Sequence, residues 1–156
     1  MNIDYRFIDI SEWEAAILLT YRVFMKYDAP SFSEKGIEKF KLFIYDENLK
    51  KKFEEGLFQV VGAFDGAKMV GVIALRDYNH ISLLFVDEAY QKIGIGGFLV
   101  KQLLIYCYRK LNQNRITVNS SPYAEDFYHH LGFKNIGGQI NDEGILFTPM
   151  ILELGE

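Results

Sequence analysis

The sequence predicts a mixed α/β fold, one sheet with helices on its faces. Three observations predict it. Apolar residues recur at helical spacing in several separate stretches, three apolar runs joined by short turns lie between two of those stretches, and a strand pair closes the chain. In chain order the elements are strand, two helices, three strands, helix, strand, helix, two strands. Strands and helices are interleaved, so the helices must cover a mixed sheet. The 156 residues suffice for one domain with its own core, and residues 1–156 are read as that domain.

Ile3 to Ile10 alternates in residue type and reads as a strand. Ser11 follows as a helix N-cap, with Glu12 and Glu14 in the first turn, where the helix dipole favours negative charge. From Trp13 to Tyr27 the apolar positions Ala15, Leu18, Leu19 and Val23 keep helical spacing, and Asp28-Ala29-Pro30 ends the helix. Ser33 and Glu34 open a second helix carrying Ile37, Phe40 and Ile44, and Lys50 to Lys52 reads as a solvated face. Leu57 to Phe64 and Lys68 to Arg76 are strands joined at Asp65-Gly66, a strong hairpin signal. His80 to Val86 is a third strand of this region.

Gly94 to Leu111 reads as a helix with Val100, Leu104, Cys107 and Leu111 as its inward stripe. Arg115 to Asn119 is a short strand. Pro122 suits the first turn of a helix running to Leu131, which Gly132 caps. The end of the chain, through Gly137-Gly138 and Ile145 to Leu152, reads as a closing hairpin.

Composition excludes several function classes. Apolar residues make up 49% and charged residues 24%, which argues for a globular chain rather than disorder. The formal net charge of -4 supplies no basic field for nucleic acid or an anionic membrane, so neither is an expected partner. The single cysteine, Cys107, forms no internal disulfide, and no signal peptide or membrane-length apolar run is present. These features read as a cytoplasmic protein. Cys107 lies on an apolar helical stripe and is read as core rather than nucleophile. His129 and His130 are adjacent, face different directions on a helix and have no third ligand at metal-site spacing, so no metal is expected.

The most informative stretch runs from Val86 to Phe98. An apolar strand ends at Val86, a short acidic turn follows, and Gln91-Lys92-Ile93-Gly94-Ile95-Gly96-Gly97 leads straight into a helix. The first N–H groups of a helix lack partners and carry positive partial charge, and glycines remove the Cβ atoms that would hold an anion away. The result is a diphosphate cradle made of backbone. A Walker loop would need Lys-Ser/Thr where Phe98 stands. A dinucleotide fingerprint would follow the first strand of a parallel unit, not a run of hairpins.

The run Gln91 to Gly96 resembles the Gln/Arg-x-x-Gly-x-Gly/Ala signature of the GNAT superfamily of acetyl-CoA-dependent N-acetyltransferases. Phe127-Tyr128-His129-His130-Leu131-Gly132-Phe133 resembles the same family's Phe-Tyr-x-x-Leu-Gly-Phe motif. The resemblance implies a mostly antiparallel sheet of about seven strands with the fourth and fifth splayed apart, flanked by about four helices. It implies acetyl-CoA as acetyl donor and a primary amine, on a small molecule or a peptide, as acceptor. It also allows a homodimer. Two departures stand out: Ile93 occupies a position that is often basic in the family, and Ser121 one that is often asparagine.

By resemblance, Tyr128 is the acid that protonates the departing thiolate, the N–H of Leu84 faces the acetyl oxygen, and Val86 pairs with the pantetheine chain. The expected coenzyme site comprises Leu84, Phe85, Val86, the run Gln91, Lys92, Ile93, Gly94, Ile95, Gly96, Gly97 and Phe98, and Asn119, Tyr123, Phe127 and Tyr128. Asn119 reads either as a pantetheine contact or, with Ser120 and Ser121, as a helix cap. His80 falls where some relatives carry a catalytic glutamate. By alternation it shares a strand face with Ser82, Leu84 and Val86, and the base is either His80 or a water chain. The competing readings are a non-catalytic acyl-CoA-binding regulatory module and a nucleotide-binding module. The acceptor region falls on Tyr21 to Ile44 and Gln139 to Thr148, with Tyr27, Asp28, Phe32, Glu34, Asp142 and Glu143 in it. Polyamines, antibiotics, other small metabolites and peptide N-termini all remain open as acceptors.

Overall fold

The computed structural model describes residues 2–155. In chain order its elements are β1 (Ile3–Phe7), α1 (Trp13–Tyr27), α2 (Glu34–Ile44), α3 (Glu47–Glu54), β2 (Phe58–Asp65), β3 (Lys68–Arg76), β4 (His80–Val86), α4 (Ile95–Arg109), β5 (Arg115–Ser120), α5 (Glu125–His130), β6 (Lys134–Asn135), β7 (Ile140–Asp142) and β8 (Ile145–Glu153). The strands form one sheet in the order β1-β2-β3-β4-β5-β8-β6, with β7 paired to β8 off that path. Every pairing is antiparallel except β4 with β5.

Helices cover both faces. Trp13, Ala16, Ile17, Phe24, Ile44 and Leu49 of α1, α2 and α3 pack with Val72, Ala74, Leu83 and Phe85 on one face. Leu99, Val100, Leu103 and Cys107 of α4, with Tyr128 and Phe133, pack with Ile73, Leu75, Ile81 and Val118 on the other. β3 lies between the two layers, which is why Val70, Val72, Ile73, Ala74 and Leu75 are all fully buried and read as an unbroken apolar run. Each such side chain contributes roughly 1.5–3 kcal/mol on burial if it is as large as Val or Leu.

Several expectations shift. The first strand stops at Phe7, and a short turn over Ile10–Glu12 precedes α1. Asp9 leads that turn, and its N–H donates to the Glu12 carboxylate at 2.8 Å, so Ser11 is not the cap. Lys50 to Lys52 belong to a separate helix, α3, which Asp46 caps by accepting the Asn48 N–H at 2.8 Å. The sequence signal for that helix was an Asp followed by Glu47 and by Leu49 and Phe53 four apart. The buried stripe of α4 is centred on Leu99 and Leu103, with Leu104 and Leu111 only partly covered. Gly132 ends α5 with φ 97°, as expected of a helix cap. The closing hairpin turns at Glu143-Gly144 rather than at Gly137-Gly138.

What positions the site is the way β4 and β5 meet. They pair only at His80 with Thr117 and Ile81 with Val118, while β5 pairs along its whole length with β8. Beyond Ile81 the two strands part, leaving a wedge open through the middle of the sheet.

Candidate active site

A cavity of about 910 Å³ opens at this wedge. One wall carries Leu84, Val86, Gln91, Gly94, Gly96, Gly97, Asn119, Tyr123, Phe127 and Tyr128. The other carries Tyr27, Asp28, Phe32, Phe40, Phe43, Phe85, His80, Asp142 and Phe147.

The strand register sets which backbone groups face the wedge. The Asp87 N–H donates to the Val70 carbonyl at 2.8 Å, so this pair exchanges hydrogen bonds across β3 and β4. Counting in twos along the shared register, Phe85 and Leu83 do the same, whereas Leu84 and Val86 turn their N–H and C=O away from β3. On the other lip, Thr117 donates to Asn79 at 2.9 Å toward β4, so Asn119, two residues on, also faces the gap. Asn119 is paired to Pro149 on its far side in β8. Proline is tolerated there because that β8 position makes no ladder hydrogen bond to β5.

The Val86 carbonyl is not free. Gln91 Nε2 donates to it at 2.9 Å, and Gln91 Oε1 accepts from the Tyr123 hydroxyl at 3.3 Å. Tyr123 in turn stacks on Tyr27 with centroids 4.9 Å apart. Gln91 is therefore a strut between the strand end and an aromatic bridge, and only the Val86 N–H is left to face a ligand.

The glycine turn is held open. Gly94 caps α4 with φ 93°, a left-handed conformation that other residues adopt only with strain. Among the described residues, no protein group accepts the N–H of Gly94, Gly96 or Gly97. The turn is fixed from outside. Buried Asp87 accepts from Arg22 at 2.8 Å and from the Ala89 N–H at 3.0 Å, Lys26 pairs with Glu88, and the Tyr90 hydroxyl donates to Asp65 at 2.7 Å. The guanidinium of Arg22 is largely exposed, so its ion pair contributes only about 0–1 kcal/mol of stability; its effect is to locate the turn against α1.

Tyr128 is buried at 4% exposure between Phe127 and Phe133, whose rings meet it edge-on at 5.2 and 5.3 Å. Its hydroxyl makes no hydrogen bond to a protein group among the described residues and lines the cavity. Burial, and then the charge of Asp28, push its phenol above the usual tyrosine range, so it holds its proton at neutral pH.

β4 carries a bulge that alters the expected geometry. Ala74 pairs with Leu83 but Leu75 with Ile81, which leaves Ser82 without a partner. The alternation flips there. His80 therefore does not share one face with Leu84 and Val86; next to Ile81 it faces the α1 side, with Leu83 and Phe85, whereas Leu84 and Val86 pack on the α4 side with Ile81. A period-two count is blind to an inserted residue. His80 Nδ1 lies 2.7 Å from Thr117 Oγ1. The Thr117 hydroxyl has the Asn79 carbonyl at 3.5 Å, which leaves it free to accept the Nδ1–H and puts the lone pair on Nε2. Burial first, and then the Arg76 charge, hold the imidazole down to about 4 against the opposing pull of Asp77.

A family model described as an acetyltransferase (GNAT) domain matches residues 28–154. This chain belongs to the GNAT acetyltransferase family. It is 32% identical over 91 residues to YafP, an uncharacterized N-acetyltransferase of Escherichia coli K12, a match covering 58% of this chain and 56% of that protein. The chain thus spans a little over half the length of that curated relative. Among solved structures, a GCN5-related N-acetyltransferase from Rhodopseudomonas palustris aligns with a TM-score of 0.85 at 19% identity, over 99% of this chain and 97% of that one. A PaiA N-acetyltransferase from Thermoplasma acidophilum, in complex with coenzyme A, aligns with a TM-score of 0.77 at 22% identity, over 98% and 99%.

For this GNAT chain the tertiary structure brings most of the expected site residues to one cavity, Lys92, Ile95 and Phe85 among them. Two stand apart. Ile93 is 56% exposed outside the cavity lining, and Phe98 turns the other way to pack on Tyr5 with centroids 4.4 Å apart. The expected cap at Asn119 to Ser121 is absent as a side-chain cap: Ser120 donates to the Ser121 carbonyl at 2.9 Å, and Ser121 donates to Asp28 at 3.1 Å. His129 and His130 are taken up by Asn135 and the Asp126 carbonyl. Cys107 is fully buried and its thiol is pushed up to about 12, as inert as its apolar stripe suggested.

The residue that folding singles out is Asp28. In the sequence it reads as a helix stop and as one of several acidic residues in the acceptor region. Folded, it lies inside the cavity with its carboxyl pushed up to about 6 by burial, against the lowering hydrogen bond from Ser121. Only its distance in sequence from Ser121 and Tyr128 hid it.

Proposed function

We propose that this chain is an enzyme that moves the acetyl group of acetyl-CoA to a primary amine directly, with donor and acceptor bound at once. The observation that carries the reading is the open wedge between β4 and β5, which runs from the bare amides of Gly94, Gly96 and Gly97 to the Tyr128 hydroxyl. Family membership supports the reading, and the coenzyme A bound to the Thermoplasma relative favours coenzyme A as the carrier.

Three free N–H groups at the positive end of α4 suit a pyrophosphate, and Lys92 lines the cavity beside them. The pantetheine arm enters the wedge as an extra strand would, against the Val86 N–H and the backbone of Asn119. The Leu84 N–H then meets the thioester oxygen as charge builds on it. One such donor is worth about 2.7–4 kcal/mol in a site that excludes water. Attack on the carbonyl carbon breaks the C–S bond, and the departing thiolate takes the proton of Tyr128.

The amine's proton leaves through water. His80 is on the acceptor side of the bulge, but an imidazole held down to about 4 retains a proton poorly at neutral pH. It is better suited to orienting the acceptor through Nε2.

The test has two arms. Calorimetry is expected to show acetyl-CoA binding and no comparable ATP binding. A thiol-release assay across a broad amine library is expected to show turnover. Binding without release from any amine would establish the regulatory module instead, and preference for ATP the nucleotide-binding one. No helix among the described residues is long and apolar enough to cross a membrane.

A further inference from the structure

We infer that the acceptor is a monoamine carried on a flat apolar body, an arylalkylamine in chemical class, whose ammonium group docks on Asp28. The inference rests on the transferase reading and names its second substrate.

Asp28 lies at the C-terminal end of α1, beside the wedge rather than on the outer surface. Its one side-chain partner is the Ser121 hydroxyl, and no cation pairs with it among the described residues. The groups facing it are neutral. Tyr128 and Tyr123 both respond to its charge, Tyr27 stacks on Tyr123, and Ser121 donates to it. A half-buried carboxylate without a cation is costly, and once ionised above about pH 6 the charge is relieved by a cation from outside. Asp28 and Tyr128 line the same cavity, so a nitrogen held at Asp28 shares it with the phenol that protonates the leaving thiolate.

The rest of the acceptor wall says what carries that nitrogen. Phe32, Phe40, Phe43, Phe85 and Phe147 line it, with Tyr27 next to Asp28. Such rings bury a flat apolar group well and also attract a cation over their faces. Among the described residues that line the cavity, a second ammonium finds no free carboxylate. Asp142 is already paired with Lys39 at 3.0 Å, and Glu143 lies 3.8 Å from the same lysine. Lys39 and Arg76 are themselves part of the lining and repel another positive charge. A polyamine therefore meets one site for one charge and a wall that opposes the rest.

The experiment compares initial rates of CoA release with 2-phenylethylamine, tryptamine, putrescine and spermidine at saturating acetyl-CoA. The aryl amines are expected to exceed spermidine in kcat/KM by about 100-fold, the range a hydrophobic pocket plus a charge mismatch supplies. Asp28→Asn is expected to raise the KM for 2-phenylethylamine about tenfold or more while the Kd for acetyl-CoA stays unchanged. The wild-type KM should fall as pH rises through about 6, when the carboxylate forms, and the Asp28→Asn variant should lose that step. Ser121→Ala removes the hydrogen bond that favours the carboxylate, so its KM step should move to higher pH, a shift that a purely structural role would not produce. Higher kcat/KM for spermidine than for 2-phenylethylamine, or an Asp28→Asn KM within twofold of wild type, overturns the inference and leaves the transferase reading intact. Silence from every amine in the presence of bound acetyl-CoA overturns the transferase reading itself.

Discussion

The two walls of the cavity are built by opposite means. The wall toward α4 works with main-chain groups: the amides of Gly94, Gly96 and Gly97, the N–H of Leu84 and Val86, and the backbone of Asn119. The wall toward α1 works with side chains drawn from far apart in the chain, Asp28, Phe40, His80, Phe85 and Phe147 among them. A backbone site tolerates many side chains and keeps one ligand. A side-chain site is free to change its ligand one residue at a time. The difference predicts that lesions on one wall spare the ligand of the other.

The largest separation should come from Tyr128, which stands between the walls. Tyr128→Phe should lower kcat by about 100-fold, the lower end of what a general acid contributes, with the Kd for acetyl-CoA within about twofold of wild type. Equal turnover at saturation would remove the phenol from the chemistry. Gly94→Ala attacks the backbone wall alone. A Cβ there meets nothing within 4 Å, so the lesion is conformational, a left-handed alanine costing about 1–2 kcal/mol. Acetyl-CoA should bind about tenfold more weakly by calorimetry, with the amine KM unmoved.

Gly36→Ala attacks the other wall. In an ordinary helix interior that change stabilises by about 1 kcal/mol. Here the added Cβ would lie 2.3 Å from the Gly144 carbonyl oxygen, the atom that accepts the Ser33 N–H at 3.2 Å. The clash is with backbone, so the turn that brings Ile145 and Phe147 to the cavity must move. The variant should melt below wild type and bind amine several-fold more weakly, while acetyl-CoA affinity holds. A rise in Tm would show that α2 and the turn are not in contact in solution.

The smallest effect is in stability against pH. Asp28 has its folded value raised to about 6 from an unfolded value near 4, so it binds a proton more tightly when folded, and its contribution falls as pH rises from about 4 to 6. His80 is the reverse. Its folded value is lowered to about 4 from about 6.5, so the unfolded chain binds the proton first and stability rises with pH over the same span. The two slopes oppose each other. Asp28→Asn should steepen the rise of Tm from pH 4 to 6, and His80→Gln should turn it toward a fall. Identical slopes in both variants would mean that neither group is buried as described.

The uneven legibility of the two walls follows from the same contrast. The Gln91 to Gly97 turn and the Phe127 to Phe133 segment could be read because each acts within a few consecutive residues: a strand end, a glycine turn, a helix start. The bulge at Ser82 could not, because an inserted residue is defined only by its partner strand, here Ala74 and Leu75. Nor could the diversion of Gln91 to the Val86 carbonyl or of Ser121 to Asp28, since a polar side chain takes the nearest partner that folding supplies. The direction of Phe98 is hidden for the same reason: its position beside the glycines says nothing about the helix face that turns it toward Tyr5.

The amino-acid order alone determined the succession of strands and helices, the apolar faces that make them one sheet between two helical layers, and the bare amides at the start of α4, because periodicity, turn chemistry and helix ends are local properties. Only the tertiary structure decided that Ile81 is the residue after which β4 and β5 part, that His80 turns to the α1 side, and that Asp28 lies half-buried in the cavity that Tyr128 also lines. Those depend on burial and on pairing between residues as much as 93 positions apart, such as Asp28 and Ser121. Burial and pairing come into being only when the chain closes on itself.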